Sequence, residues 1–157
     1  MVASSVQSTG AVASAVGVTQ AAVFRHFATK AVMWQAVADQ LAGQLAAAWE
    51  AALVDRSGPV ARLTALISAQ LGQIAATPAM PMLLFSRELN VENDDLRAIL
   101  RGTLEAFHAL LAREIAAGQQ AGLMRGDVAI RDAAVLLTSL VQGVAIRWSL
   151  GARDFDL

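Results

Sequence analysis

The stretch VGVTQAAVFRHFATK, Val16–Lys30, sets Thr, Gln, Arg, His and Lys beside a Val-Gly-Val corner. Gly17 can take the left-handed backbone that lets a chain turn sharply without a Cβ clash. Thr19 is a good N-cap, so a helix is predicted from Gln20 to Phe27. Upstream, Ser8 caps a second short helix, Thr9 to about Val16, and Gly17 stops it. Val12, Ala13, Val16, Val18, Val23 and Phe27 then form a small apolar wedge between the two. Two short helices about a tight turn are what a helix-turn-helix needs, one bracing while the other enters the major groove of DNA.

On that reading Gln20 stands at the leading edge of the second helix, where a side-chain amide can pair with adenine. Thr19 offers donors to a phosphate at that helix end. Arg25, His26 and Lys30 stand at the trailing end, where phosphate contacts set register rather than sequence. Between Met1 and Ala38 the ionised residues are Arg25 and Lys30, so the segment is locally positive although the whole chain carries a net charge of −1. Two cations attract phosphate only modestly. The same pattern also fits two amphipathic helices joined by a polar turn.

The remaining composition narrows the choices. The chain has 157 residues, 56% of them hydrophobic and 16% charged, against about 25% charged in an ordinary soluble domain. Such an excess of apolar residues goes into an interface or an apolar pocket. No cysteine is present, which excludes disulfides and thiolate metal sites and fits a reducing cytoplasm. Leu63–Ser86 carries no charge but is broken by Gln70, Gln73, Pro78 and Pro81, so no membrane association is expected. Ala13-Ser14-Ala15 mimics a signal-peptidase site without the basic and apolar regions that precede one. There is no H-E-x-x-H, no glycine-rich phosphate loop and no G-x-S-x-G. Asp94 and Asp95 suit a helix start better than acid–base work. No enzyme activity, metal or cofactor is expected.

Caps and periodicity predict helices throughout: about Lys30–Val54, Pro59–Ala76, Pro81–Asn90, Asp94–Ala121 and Ile130–Leu150. Ser57-Gly58-Pro59 separates the first two, with Pro59 at a first helical turn. Gly122, Gly126 and Asp127 make a turn before the last helix. The fold class is all-α, with a helix-turn-helix at residues 1–30 and a helical domain at 31–157.

The stretch VASAVGVTQAAVFRHFATK, Val12–Lys30, resembles the TetR family of bacterial transcriptional regulators. It matches the family's Ala-Gly-Val-Ser turn, a recognition helix ending aromatic-x-His-Phe, and the Ser-Lys that opens a long connecting helix. REIAAGQQAGLMRGDVAIRDAAVLLTSLVQGVAIRW, Arg113–Trp148, is similar to the family's penultimate helices. The resemblance implies a TetR-like helical bundle that binds double-stranded operator DNA as a homodimer and answers to an apolar small-molecule effector, usually as a repressor. It puts Thr19, Phe24, His26 and Lys30 at phosphate-contact positions, turns Gln20, Ala21 and Ala22 to the bases, and makes Ser8 the cap before the turn. Three features depart from the pattern. Phe24 stands where the family has Tyr, Ala22 stands where Thr is common, and only Met1–Gln7 precede Ser8 where a further helix is expected. The alternative reading is an all-α dimerisation or protein-interaction module that does not bind DNA.

In that resemblance the helices after Lys30 enclose a pocket. Met80, Met82, Phe85, Phe107, Leu111 and Leu137 are its candidate lining, since flexible sulfur side chains and aromatics suit an adaptable apolar cavity. Ordinary core explains each of them as well. His108, Arg87 and Arg147 are candidate polar contacts if they face inward. The family dimerises through its last two helices, and Ile130–Leu150 supplies one, the chain ending at Asp154-Phe155-Asp156-Leu157 where the other is expected. Ala133, Leu137, Leu140, Val144 and Trp148 form an apolar stripe that suits a dimer interface or, equally, an intramolecular core.

Overall fold

The computed structural model describes residues 17, 19–77, 80, 93–151 and 154–157. These form five helices, α1 (Gln20–His26), α2 (Lys30–Leu53), α3 (Pro59–Ala76), α4 (Asp94–Gln120) and α5 (Ile130–Leu150). No strand occurs among the described residues, as the sequence leads one to expect. Ser8, the short helix upstream of Gly17, the helix expected at Pro81–Asn90, and Met82, Phe85 and Arg87 lie outside them.

Local chemistry explains each helix start. The Thr19 hydroxyl accepts the Ala22 amide at 3.2 Å, capping α1. Thr29 accepts the Val32 amide at 3.2 Å at the start of α2, a cap the sequence reading passed over. Gly58, with φ 84°, lets the chain swing into α3, whose first turn holds Pro59. Asn93 accepts the Leu96 amide at 3.0 Å before α4, and Asp94 and Asp95 then complement the helix dipole.

The chain divides into two compact units, Met1–Val37 and Ala38–Leu157. The boundary falls seven residues beyond the one expected at Lys30, because the first two turns of α2 carry Met33 and Trp34 into the core of the first unit. Among the described residues of that unit, Val23 and Met33 are buried, with Phe27 and Trp34 packed on them. The Trp34 Nε1 is enclosed without a hydrogen-bond partner among the described residues.

The second unit has a much larger core. Leu45 and Trp49 of α2, Leu66 and Ile74 of α3, Phe107, Leu111 and Ile115 of α4, and Ala134, Val141, Ala145 and Trp148 of α5 close around one another. Leu66 and Leu111 are fully enclosed, so truncating either to Ala costs about 2–5 kcal/mol. One charge is taken inside with compensation. Glu114 accepts from Arg62 Nε at 3.0 Å and from Arg113 Nε at 2.9 Å, tying α3 to α4. Between α4 and α5, Gln119 Nε2 donates to the carbonyls of Arg125 and Val128 at 2.7 and 2.8 Å and closes the loop. In that loop the Arg125 guanidinium holds the Asp127 carboxyl below its ordinary range.

Helix α5 is long and apolar enough to cross a membrane by length and composition. Its sequence is apolar because two of its faces are. One, Ala134, Thr138, Val141, Ala145 and Trp148, is buried in the core; the other exposes Val135, Leu136 and Leu140.

Candidate functional site

Among the described residues, two surfaces are candidates for function, one in each unit. In the first, Gly17 has φ 71°, the left-handed turn expected of it. The turn leads into the seven-residue α1. A helical period then sorts the side chains: Val23 is buried and Phe27 half-buried, while Gln20, Ala21, Phe24, Arg25 and His26 are exposed. Phe24 is 42% exposed, on the outward face with Gln20 and Arg25. Thr19 is exposed with its oxygen occupied by the cap, leaving its hydroxyl proton free to donate. Ala22 is half-buried, on the edge between the two faces, and Lys30 is half-buried at the start of α2.

The second surface is a cleft inside the Ala38–Leu157 unit. It spans about 730 Å³, counted out into the solvent at its mouth. Leu41, Leu45 and Trp49 of α2, Gln70 and Ile74 of α3, Leu100, Leu104 and Phe107 of α4, and Val141 and Gln142 of α5 are among its walls, with Met80, which lies between α3 and α4 in sequence. Trp49 and Phe107 stack with ring centroids 5.2 Å apart and an interplanar angle of 27°, a flat apolar slab. The Trp49 indole N–H donates to Gln70 Oε1 at 2.9 Å, fixing the slab to α3.

Of the residues expected to line a pocket, Met80 and Phe107 do so. Leu111 does not: it is fully enclosed in the core behind the wall, one turn along α4 from Phe107. Leu137 packs against the core away from the cleft. His108 is half-buried with its ring nitrogen 3.4 Å from the Arg131 carbonyl, and Arg147 stands over the Phe155 ring at 5.5 Å; neither lines the cleft. Trp49, Gln70 and Gln142 were missed because helices distant in sequence bring them together.

The stripe read as either a dimer interface or an intramolecular core divides between the core and the surface. Trp148 is buried, Ala133 and Leu137 pack on the core, and Val144 is half-buried, while Leu140 is 63% exposed. The buried stripe lies largely one residue along from the expected one, a rotation of about 100° around the helix. The outward apolar face is Val135, Leu136 and Leu140, with Gly143 exposed beyond them.

Comparison with known proteins bears on this architecture. Residues 59–157, well over half the chain, match the family model described as "BetI-type transcriptional repressor, C-terminal". The nucleoid occlusion factor SlmA of Marinomonas sp. (strain MWYL1) is 25% identical over 135 residues, covering 86% of this chain and 68% of that protein. Among solved structures, the fatty acid degradation regulator FadR of Bacillus halodurans superposes with a TM-score of 0.76 at 16% identity, over 96% of this chain and 77% of that one. The ketosteroid transcriptional regulator KstR2 of Mycobacterium tuberculosis also gives 0.76, at 17% identity, over 90% of this chain and 72% of its own. FadR of Bacillus subtilis, solved in complex with stearoyl-CoA, gives 0.76 at 17% identity over 96% and 80%. At those identities the structures establish the fold alone. The helical architecture and the family match over residues 59–157 together place this chain in the TetR family of transcriptional regulators, with a BetI-type C-terminal domain.

Proposed function

We propose that this chain is a ligand-responsive, DNA-binding repressor that an apolar small molecule releases from its operator. The observation that carries the DNA-binding half is the sorting of α1 after the Gly17 turn. Gln20, Ala21, Phe24, Arg25 and His26 face outward, and Val23 and Phe27 face inward. In this reading Gln20 and Ala21 meet base edges, with Ala22 beside them. Thr19, Phe24, Arg25, His26 and Lys30 meet the backbone, with Ser8 at the cap upstream.

The apolar cleft supports the ligand-responsive half. Effector binding releases DNA only if the effector favours a geometry other than the DNA-bound one. That FadR of Bacillus subtilis was solved with stearoyl-CoA supports an effector with a long apolar body. Met80 and Phe107 are the lining residues retained from the sequence reading, joined by Trp49, Gln70 and Leu104.

Two copies would pair through the outward face of α5, where Leu136 and Leu140 are 67% and 63% exposed. A symmetric pair reads two half-sites one helical turn or more apart. The same apolar face would also suit a module that only dimerises or binds another protein.

Footprinting of the chain on DNA from its own upstream region separates these readings. A protected site with two-fold symmetry is the expected result. No protection on that DNA at any concentration that saturates dimerisation would favour the interaction module.

A further inference from the structure

This inference rests on the reading of the cleft as the effector site, and it concerns what the effector must present there. An indole N–H can only donate. The Gln70 atom that faces Trp49 Nε1 at 2.9 Å is therefore the amide oxygen, and the hydrogen-bond network leaves no freedom to flip the amide. The Gln70 –NH2 group is thereby turned away from Trp49, and no protein partner for it occurs among the described residues.

The surrounding wall offers little competition. Thr103 and Thr138 also line the cleft, but their hydroxyl protons go to the Ile99 and Ala134 carbonyls at 2.9 and 2.8 Å. None of the described lining residues is charged. Trp49 cannot swing aside to free the Gln70 oxygen without also leaving its stack on Phe107. Gln70 thus presents a pre-set pair of donors beside a flat aromatic slab. A buried carboxylate would find no opposite charge among the described lining residues, whereas a neutral acceptor finds amide donors in the wall.

We infer that the effector carries an uncharged hydrogen-bond acceptor, of the ketone or ester class, on an apolar body, and that Gln70 Nε2 donates to it. The Trp49–Phe107 slab holds the apolar body, and the Trp49–Gln70 bond sets which way the amide points. Gln142 supplies a second amide whose orientation the ligand can choose.

Calorimetric titration of the full chain tests this with three probes: 2-decanone, the acceptor-free n-butylbenzene, and decanoate at neutral pH. Gln70→Glu keeps an acceptor for Trp49 but removes the donors, and Gln70→Met removes both with little change in volume. The expected result is that 2-decanone binds wild type about tenfold or more tighter than either variant. Butylbenzene should bind wild type and Gln70→Met within a factor of about two, since the apolar wall they share is unchanged. Decanoate should bind wild type far more weakly than 2-decanone. Equal binding of 2-decanone by wild type and Gln70→Met, or decanoate binding as tightly as the ketone, would overturn the inference while leaving the cleft as a ligand site. Failure of wild type to bind any of the three would overturn the effector-site reading and this inference with it.

Discussion

The unit ending at Val37 and the unit beginning at Ala38 solve opposite problems. Among the described residues, the first turns the polar side chains of α1 outward and buries Val23 and Met33 with Phe27 and Trp34 against them. The second hides a large apolar core and keeps an apolar cleft within it. A surface that reads another molecule needs local order only, a cap, a turn and one helical period. A cavity needs four helices to hold their distances against the tendency of apolar walls to collapse. The comparison teaches where each unit is vulnerable: the first at its caps and exposed side chains, the second at its core.

The largest expected effect tests that difference directly. Leu111→Ala should lower the unfolding free energy of the second unit by about 2–5 kcal/mol, read by urea denaturation. A loss below about 1 kcal/mol would mean that the core relaxes more freely than its packing suggests.

Next is the proposed pairing face. Leu140→Glu puts a charge on an apolar surface and should shift the chain from dimer to monomer in sedimentation equilibrium, with secondary structure by circular dichroism unchanged. Trp148→Phe, on the buried face of the same helix, should change stability rather than association. The two results reversed would assign the faces of α5 the other way round.

The buried carboxylate gives a third test. Glu114→Gln should cost about 1–3 kcal/mol, less than for a fully enclosed pair, because Arg62 and Arg113 keep 28% and 55% of their side chains in solvent. Arg113→Ala should cost less again, since Arg62 still pairs the carboxylate.

The smallest effect belongs to the first unit. Thr19→Ala should destabilise α1 by about 1 kcal/mol through loss of the bond to the Ala22 amide, while Thr19→Asn should restore most of it. Amide hydrogen exchange at residues 20–26 is the measurement, because a global denaturation curve is dominated by the larger unit.

The difference between the units also explains what could be read from sequence. Gly17, Thr19 and the alternation of Val23 and Phe27 with Gln20, Phe24 and Arg25 lie within eleven consecutive residues, so the start of α1 and its two faces were legible. Helix bounds were legible for the same reason: α3 and α5 run as expected, and α1, α2 and α4 end one residue early. The cleft was only half legible. Trp49 and Gln70 meet 21 residues apart, and nothing local announces their bond. Leu111 and Leu137 were assigned to the lining because an apolar side chain in a core helix looks the same whether it faces a void or a neighbour. On α5, apolar residues occupy both faces, so the period of the pattern survives while its phase does not. That is why the stripe from Ala133 to Trp148 mixes core residues with the exposed Leu140.

The most direct test of the central claim is fluorescence anisotropy of the chain against duplex DNA from its own upstream region and a scrambled duplex, at two salt concentrations, for wild type and Gln20→Ala. Wild type should prefer the upstream duplex, with affinity falling steeply as salt rises. Gln20→Ala should lose about 1–3 kcal/mol of that preference while keeping the salt dependence. Binding that ignores both salt and sequence, or a Gln20→Ala variant as selective as wild type, would contradict that claim.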